Sequence, residues 1–370
     1  MTDFIFKTDD QTLKDLSSSV QRFSESTIKG GQFKREEFQA MASLGLTGAS
    51  ITENHDGSDL SALAIATIIQ ELARVDLGPA IYLSVHLMVA KLIERGDVHG
   101  KHAQTISAMA RGELLGTFCL TEAQAGSDAR ALQTQASKSG NDWVLRGEKI
   151  YITSAGFADI YLVFAKTAGG ISAFVVEKNS PGISFGPPEK KMGCEGSPIA
   201  VVTFEECRIP DSALLGELDQ GFKLAMTGLN GGRINIAAAA CGVAASAIEI
   251  ARKHLLERKQ FGKALAEFQG LQFMLAEMLT KQRAAVLLTR DAAQALDRNE
   301  RANTPAGMAK YFASDAAMSI TTDAVQLLGG AGYLADYKVE KLMRDAKMLQ
   351  IVEGTNQVQR MLIAREALDF

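Results

Sequence analysis

The chain changes its hydrophobic period twice. Up to about residue 115 apolar positions recur at spacings of three and four, as in DLSSSVQRFSES, KREEFQAMASLG and LSALAIATIIQELARVD. That spacing predicts amphipathic helices. The third is expected to open at Ser58 or Asp59 and to stop near Gly78 and Pro79. The stretch that follows, AIYLSVHLMVAKLIERG, is apolar on nearly every face at first, which predicts a core helix. From about 116 to 215 the period becomes two. The runs on either side of Ser139-Gly140-Asn141-Asp142 alternate and read as a hairpin, and DIYLVFAKT, GISAFVVEK and AVVTFEECRIP read as further strands. From about 216 onward long helices return. Three segments each exceed twenty residues and carry alanine on several faces, as expected of helices packed side by side in a bundle. The prediction is an α+β chain with an N-terminal α-helical domain (1–115), a middle β domain (116–215) and a C-terminal helical bundle domain (216–370).

Composition supports a globular protein of more than one domain. The 370 residues are 46% hydrophobic and 22% charged, which is enough to bury several cores. The net charge of -4 and the lack of a basic block argue against nucleic acid or an anionic membrane as partner. No apolar run reaches 18 residues, so no membrane span is expected. The N-terminus, MTDFIFKTDDQTLKDL, reads as neither a signal peptide nor a transit segment, and a cytoplasmic location is expected. Cys119, Cys194, Cys207 and Cys241 include no CxxC pair and read as buried reduced thiols, with no metal site. His99 and His102 read as ordinary surface residues.

The familiar dinucleotide, P-loop and metalloprotease fingerprints are missing. Four other stretches carry candidate chemistry. TEAQAGSDARA (121–131) sets hydroxyls and an Asp around a glycine where helix gives way to strand, and reads either as a plain turn or as a cradle for a polar ring or phosphate. GLNGGR (228–233) places Arg233 beside two glycines at an expected helix start. QLLGGAGY (326–333) reads as a helix C-cap. In QIVEGTNQVQR (350–360), Glu353 stands between an aliphatic pair and a glycine. It reads either as a surface residue at a turn or as a carboxyl whose apolar surroundings raise its pKa.

Taken in order, CLTEAQAGSD, KIYITSAGFADIYLV, PGISFG with EKKMG, ERKQFGKALAEFQ, QLLGGAGY and RDAKMLQIVEGTNQVQR resemble the acyl-CoA dehydrogenase family over nearly the whole chain. The resemblance implies the family fold: an N-terminal helical domain, a middle β domain and a C-terminal four-helix bundle. It implies a homotetramer, built as a dimer of dimers, with FAD held between the β domain and the bundle. It also implies α,β-dehydrogenation of an acyl-CoA thioester, with electrons passed to an electron-transferring flavoprotein.

Residue by residue, the resemblance makes Glu353 the catalytic base. Phe118, Leu120, Thr121 and Ser127 line the isoalloxazine side of FAD, Ser127 also standing near the CoA. Tyr151 takes the place of the usual tryptophan on the flavin, and Thr153 reaches its N5 side. Arg258, Gln260 and Phe261 contact the pyrophosphate and adenosine of FAD in the partner subunit. Gln269, Gln326, Gly329 and Gly330 add to that wall, and Thr355 and Gln357 also face FAD. Asn230, Arg233 and Gly354 join Ser127 on the substrate side. Some family members carry their glutamate on the helix near GLNGGR, but that stretch holds no carboxylate here. The chain departs from the family pattern at Ala123, Tyr151 and Asn230, where proline, tryptophan and aspartate are usual. Within the family it looks most like the isobutyryl-CoA, short branched-chain branch. Short straight-chain and 2-methylbutyryl-CoA dehydrogenases are the alternatives, with an acyl-CoA oxidase using O₂ behind them.

Overall fold

The computed structural model describes residues 10–369. Residues 1–9, the first part of the segment read above as neither signal nor transit peptide, lie outside them. Among the described residues five α-helices come first: α1 (Gln11–Thr27), α2 (Arg35–Ser43), α3 (Ala62–Val75), α4 (Leu77–Gly96) and α5 (Ala103–Ala110). Helix α3 is capped by Ser61, whose hydroxyl accepts from Ala64 N at 3.1 Å, and not by Ser58 or Asp59. It ends at Val75, before Gly78 and Pro79. Those two residues belong to the first turn of α4, where a proline forfeits no intrahelical hydrogen bond. Asp76 serves both helices, closing α3 and accepting from Gly78 N at 2.9 Å to open α4. His102, expected at the surface, is only 8% exposed. Asp97 accepts from its backbone N–H and turns the chain inward ahead of α5. His99 is exposed, as expected.

Eight strands form one sheet in the order β6-β7-β3-β2-β4-β5-β8, with β1 (Gly116–Cys119) paired in parallel to β4 (Ile160–Lys166). The expected hairpin is present as β2 (Gln135–Ser139) and β3 (Asp142–Thr153). Strand β3 runs antiparallel to β7 (Ile199–Pro210), with register shifts between Leu145 and Gly147 and between Lys149 and Ile152. The second irregularity brackets Tyr151 and re-aims that ring outward. Strands β5 (Ile171–Glu177), β6 (Ile183–Phe185) and β8 (Leu214–Leu215) complete the sheet. All four cysteines are free and buried.

The C-terminal part is a bundle of α6 (Gly221–Glu257), α7 (Gln269–Asp297), α8 (Asn303–Leu328) and α9 (Val339–Leu349), with α10 (Asn356–Ala367) against α8. Helix α6 is far longer than its alanine-rich part predicts. It starts at Gly221, so GLNGGR lies within the helix and not at its start. Along its buried stripe, Ala237 to Ala240 and Gly242 let α3 approach closely. A Cβ at Gly242 would lie 2.2 Å from Gln70 O, so only glycine fits that crossing. Helices α4 and α6 are apolar enough to cross a membrane by composition, but 83% of each apolar window is buried inside this fold. They are core helices of the protein.

Candidate active site

Glu353 sits on a short loop between α9 and α10. Its φ of 55° and the 86° of Gly354 hold two successive residues in left-handed conformation, a costly state for a glutamate of order 1–3 kcal/mol. The loop is tied down on its carbonyl side. Gln359, fully buried on α10, donates its amide to Glu353 O at 3.0 Å and Gly354 O at 3.2 Å. Lys310 of α8 donates to Gly354 O at 2.9 Å and to Asn356 Oδ1 at 2.9 Å. Asn356 also donates to Ser314 Oγ and Asp315 Oδ1, which fastens the start of α10 to α8. Thr355 caps α10 through its hydroxyl.

This strapping directs the Glu353 carboxyl onto α6. A Cβ built at Gly232 would lie 2.9 Å from Oε2 and 3.1 Å from Oε1, so the missing side chain is the seat of the carboxyl. Oε2 is sealed from solvent and has no hydrogen-bond partner. Burial pushes the carboxyl up to about 7, against the opposing pull of Arg233 and Lys310. Among the described residues the Glu353 N–H donates to no backbone acceptor. Beside it, Arg233 is buried, its Nε is unpaired, and one terminal nitrogen donates to Asn230 Oδ1 at 3.4 Å. Asn230 donates in turn to Asn303 Oδ1 at 2.5 Å. A half-buried carboxyl with one oxygen sealed and unpartnered, pushed up toward neutrality by burial and standing beside a free N–H, has what is needed to remove a proton from carbon next to a carbonyl.

A second cluster gathers where β1 meets β3. Phe118 is half-buried against Phe164, with ring centroids 5.0 Å apart. Leu120 is buried, and Thr121 accepts from Ile150 N at 2.9 Å. The Thr117 hydroxyl donates to Thr153 O, closing the two strands on each other. Tyr151, at φ 58°, is 64% exposed, an aromatic ring standing clear of its own chain. Ser127 is exposed on the loop after β1. That loop is pinned by Glu122, which accepts from Gln133 N and Thr134 N and pairs with the fully buried Lys149 at 2.7 Å. An open aromatic face flanked by half-buried Thr121 and Thr153 suits a flat ring with a polar edge.

Except for Gln357, which follows the base loop on α10, the remaining sequence candidates belong to other segments. Arg258, Gln260, Phe261 and Gln269 are exposed along the connection between α6 and α7, where Lys259–Gln260 and Lys263–Ala264 form a small hairpin, β9 and β10. Phe261 is 93% exposed at its tip, with φ 51°. Gln326, Gly329 and Gly330 are exposed at the end of α8, where Gly329 has φ 60° and supplies the expected C-cap. Gln357 is exposed on the first turn of α10. None of these is hydrogen-bonded to Glu353.

Sequence reasoning missed Gly232 as the seat of the carboxyl, Lys310 and Gln359 as its straps, and Glu122 with Lys149 as the pin of the β1 loop. It also missed a cleft of about 590 Å³ lined by Arg130, Lys166, Thr167, Gly169, Gly170 and Phe222. One of these was visible: Lys310 shares a helical face with Ala306, Ala313 and Ala317, an odd place for a charge.

Comparison with known proteins identifies the family. Three family models match in sequence order: the acyl-CoA dehydrogenase N-terminal domain over residues 11–113, the middle domain over 117–207 and the C-terminal domain over 219–368. The chain is 40% identical over 350 residues to a mitochondrial isobutyryl-CoA dehydrogenase of Dictyostelium discoideum, covering 93% of this chain and 84% of that one. It superposes on butyryl-CoA dehydrogenase from Megasphaera elsdenii with a TM-score of 0.94 and 38% identity, over 98% of this chain and 99% of that one. It matches with a TM-score of 0.95 and 40% identity, over 99% and 100%, a structure described as the electron transferring flavoprotein of Acidaminococcus fermentans, towards a mechanism of flavin-based electron bifurcation. The cofactor is FAD. With all three domains matched across the described chain, the protein belongs to the acyl-CoA dehydrogenase family, oxidoreductases acting on CH–CH donors.

Proposed function

We propose that the chain dehydrogenates a short, branched acyl-CoA between Cα and Cβ, turning isobutyryl-CoA into methacrylyl-CoA, with Glu353 as the base. The observation that carries this reading is the Glu353 carboxyl: its Oε2 is sealed and unpartnered, and burial pushes the group up to about 7. A thioester Cα–H is far too weakly acidic for an exposed carboxylate. Burial makes Glu353 a stronger base, and its free N–H is available to hold the thioester oxygen as charge develops there. FAD, when bound, supplies the acceptor for the hydride that leaves Cβ. The open ring of Tyr151 with Thr121, Thr153, Phe118, Leu120 and Ser127 fits its isoalloxazine, and Thr355 and Gln357 border the base loop on the same account.

The polar end of the CoA has a candidate berth in the cleft at Arg130, Lys166 and Phe222. Arg130 lies over the Phe222 ring at 4.8 Å, a cation beside an aromatic face. At 100° per residue, Phe222, Met226, Leu229 and Arg233 share one face of α6, a run of about 16 Å from the cleft to the base. A thioester arm laid along that face brings its carbonyl to Glu353. The exposed Phe261, Arg258, Gln260, Gln269, Gln326, Gly329 and Gly330 fit a second copy of the chain and its FAD, in a homotetramer. An electron-transferring flavoprotein is the proposed acceptor.

The test is anaerobic mixing of the FAD-loaded protein with isobutyryl-, butyryl- and 2-methylbutyryl-CoA, following the oxidised-flavin band. Fastest bleaching by isobutyryl-CoA is expected, although one methyl group in a pocket is worth only about 1–3 kcal/mol. Fastest bleaching by butyryl-CoA would favour the straight-chain reading that the Megasphaera elsdenii likeness supports. Glu353→Gln is expected to bind FAD and thioester and to lose at least ~100-fold in bleaching rate. Bleaching at the unaltered rate would remove Glu353 from the mechanism.

A further inference from the structure

Helix α8 buries a lysine among small apolar neighbours. Lys310 is 0% exposed, as are Ala306 and Ala309, while Ala313 is at 1%. A buried ammonium is normally matched by a carboxylate, yet both hydrogen bonds of Lys310 go to neutral oxygens, Gly354 O and Asn356 Oδ1. Both acceptors lie where the base loop runs into α10. One is the carbonyl of the residue next to Glu353, and the other opens α10, which carries the second strap, Gln359.

We propose that Lys310 is a positioning residue for the base: it clamps the Gly354 carbonyl so that the Glu353 carboxyl rests on Gly232, and its charge favours the ionised form of that carboxyl. The inference rests on the reading of Glu353 as base. The geometry gives the clamp a reason. Glu353 is left-handed at a cost that the glycine after it does not bear, and a strained residue stays so only where its surroundings hold it. Gln359 reaches both carbonyls and Lys310 reaches the second.

The charges around the carboxyl are few. Arg233 faces it from α6 and Lys310 from α8; Lys310 itself faces Glu353, Asp315 on its own helix, and Arg233. Asp315 is occupied by Arg360 at 2.6 Å, Gln350 at 2.6 Å and Asn356 at 2.7 Å. Two buried cations therefore oppose the burial that lifts Glu353, while burial brings Lys310 down to about 8. Removing the Lys310 charge leaves burial less opposed. The carboxyl then holds its proton to higher pH, and a base works only after losing it.

The test uses FAD-loaded Lys310→Met, Lys310→Arg and Glu353→Gln beside the unaltered protein. Single-turnover flavin reduction is followed anaerobically from pH 5.5 to 9 with the acyl-CoA that reduces the unaltered protein fastest. In Lys310→Met the acidic limb of the rate profile should move up by about one pH unit. Reduction should lose about 10-fold more on the acid side than at high pH, where the loss that remains is that of the clamp. Lys310→Arg, which keeps the charge, should leave the limb near its original place. A Met variant that holds FAD with its limb unmoved overturns the proposal, whether its rate is unchanged or uniformly lower. So does an Arg variant shifted as far as the Met variant. If Lys310→Met does not take up FAD, Lys310→Gln, which keeps a donor without charge, is read by the same limb. Wild-type reduction by Glu353→Gln is a separate failure, that of the base assignment itself.

Discussion

Gly232→Ala separates the placement of the base from the stability of the fold. The added Cβ would lie 2.9 Å from Glu353 Oε2, 3.0 Å from its Cδ and 3.1 Å from Oε1. Ordinary contact begins near 3.4 Å, so the carboxyl must retreat by roughly 0.5 Å. It has little freedom to do so smoothly, because the loop behind it is strapped by Lys310 and Gln359. A misplacement of about 1 Å costs on the order of 100-fold in rate, so half that distance should slow flavin reduction about 10-fold. Stability should move the other way, since alanine is favoured over glycine inside a helix by about 1 kcal/mol. Gly231→Ala is the control: it lies one position earlier in α6, and a Cβ there meets nothing within 4 Å. The assay is stopped-flow flavin reduction together with a melting curve read by flavin fluorescence. Both variants should melt no lower than the unaltered protein and keep their FAD, and only Gly232→Ala should be slow. Full-rate reduction by Gly232→Ala would refute the idea that Gly232 seats the carboxyl. An equal loss in Gly231→Ala would assign the effect to the helix instead.

Two further outcomes follow from the same geometry. Glu353 is raised to about 7 from an ordinary 4.5. The unfolded chain therefore ionises it more readily than the folded one. The favourable difference is fully present below about pH 4.5 and is lost as pH rises through 7, which corresponds to roughly 3 kcal/mol. Glu353→Gln should accordingly gain stability over the unaltered protein between pH 5 and pH 8, and parallel melting curves across that range would contradict the burial argument. In the cleft, Arg130→Ala should raise KM for an acyl-CoA about 10-fold, the weight of one charge-assisted contact, with kcat nearly unchanged. The same variant should handle an acyl-pantetheine, which lacks the nucleotide, as the unaltered protein does. An equal KM increase for both thioesters would place the CoA phosphates elsewhere.

The order helix, sheet, helix was legible because the apolar period changes where the architecture changes. Local punctuation was less legible. Gly78-Pro79 reads as a stop, yet in the fold it opens the next helix, since proline is as suited to a first turn as to the residues after a last one. GLNGGR reads as a helix start because glycines weaken a helix; the 37-residue α6 carries them internally, where Gly232 exchanges propensity for room against the carboxyl. The motif singles out Glu353 but says nothing of its surroundings, because they come from segments remote in sequence. Likewise the outward turn of Tyr151 depends on a register shift between β3 and β7, which no local pattern announces.

Three local rules are broken around this site, and all three exceptions converge on one carboxyl. A glutamate is left-handed, a glycine sits inside a helix, and a lysine lies on the buried face of another. Each weakens the fold when considered alone, through backbone strain, lost helix propensity or desolvation. Together they are consistent with one another. The left-handed turn throws the Glu353 side chain toward α6, the missing Cβ at Gly232 receives it, and the ammonium of Lys310 holds the turn from behind. Restoring any one residue to its locally preferred type removes a support that the other two require. A site built this way is expected where function, and not stability, selects the arrangement.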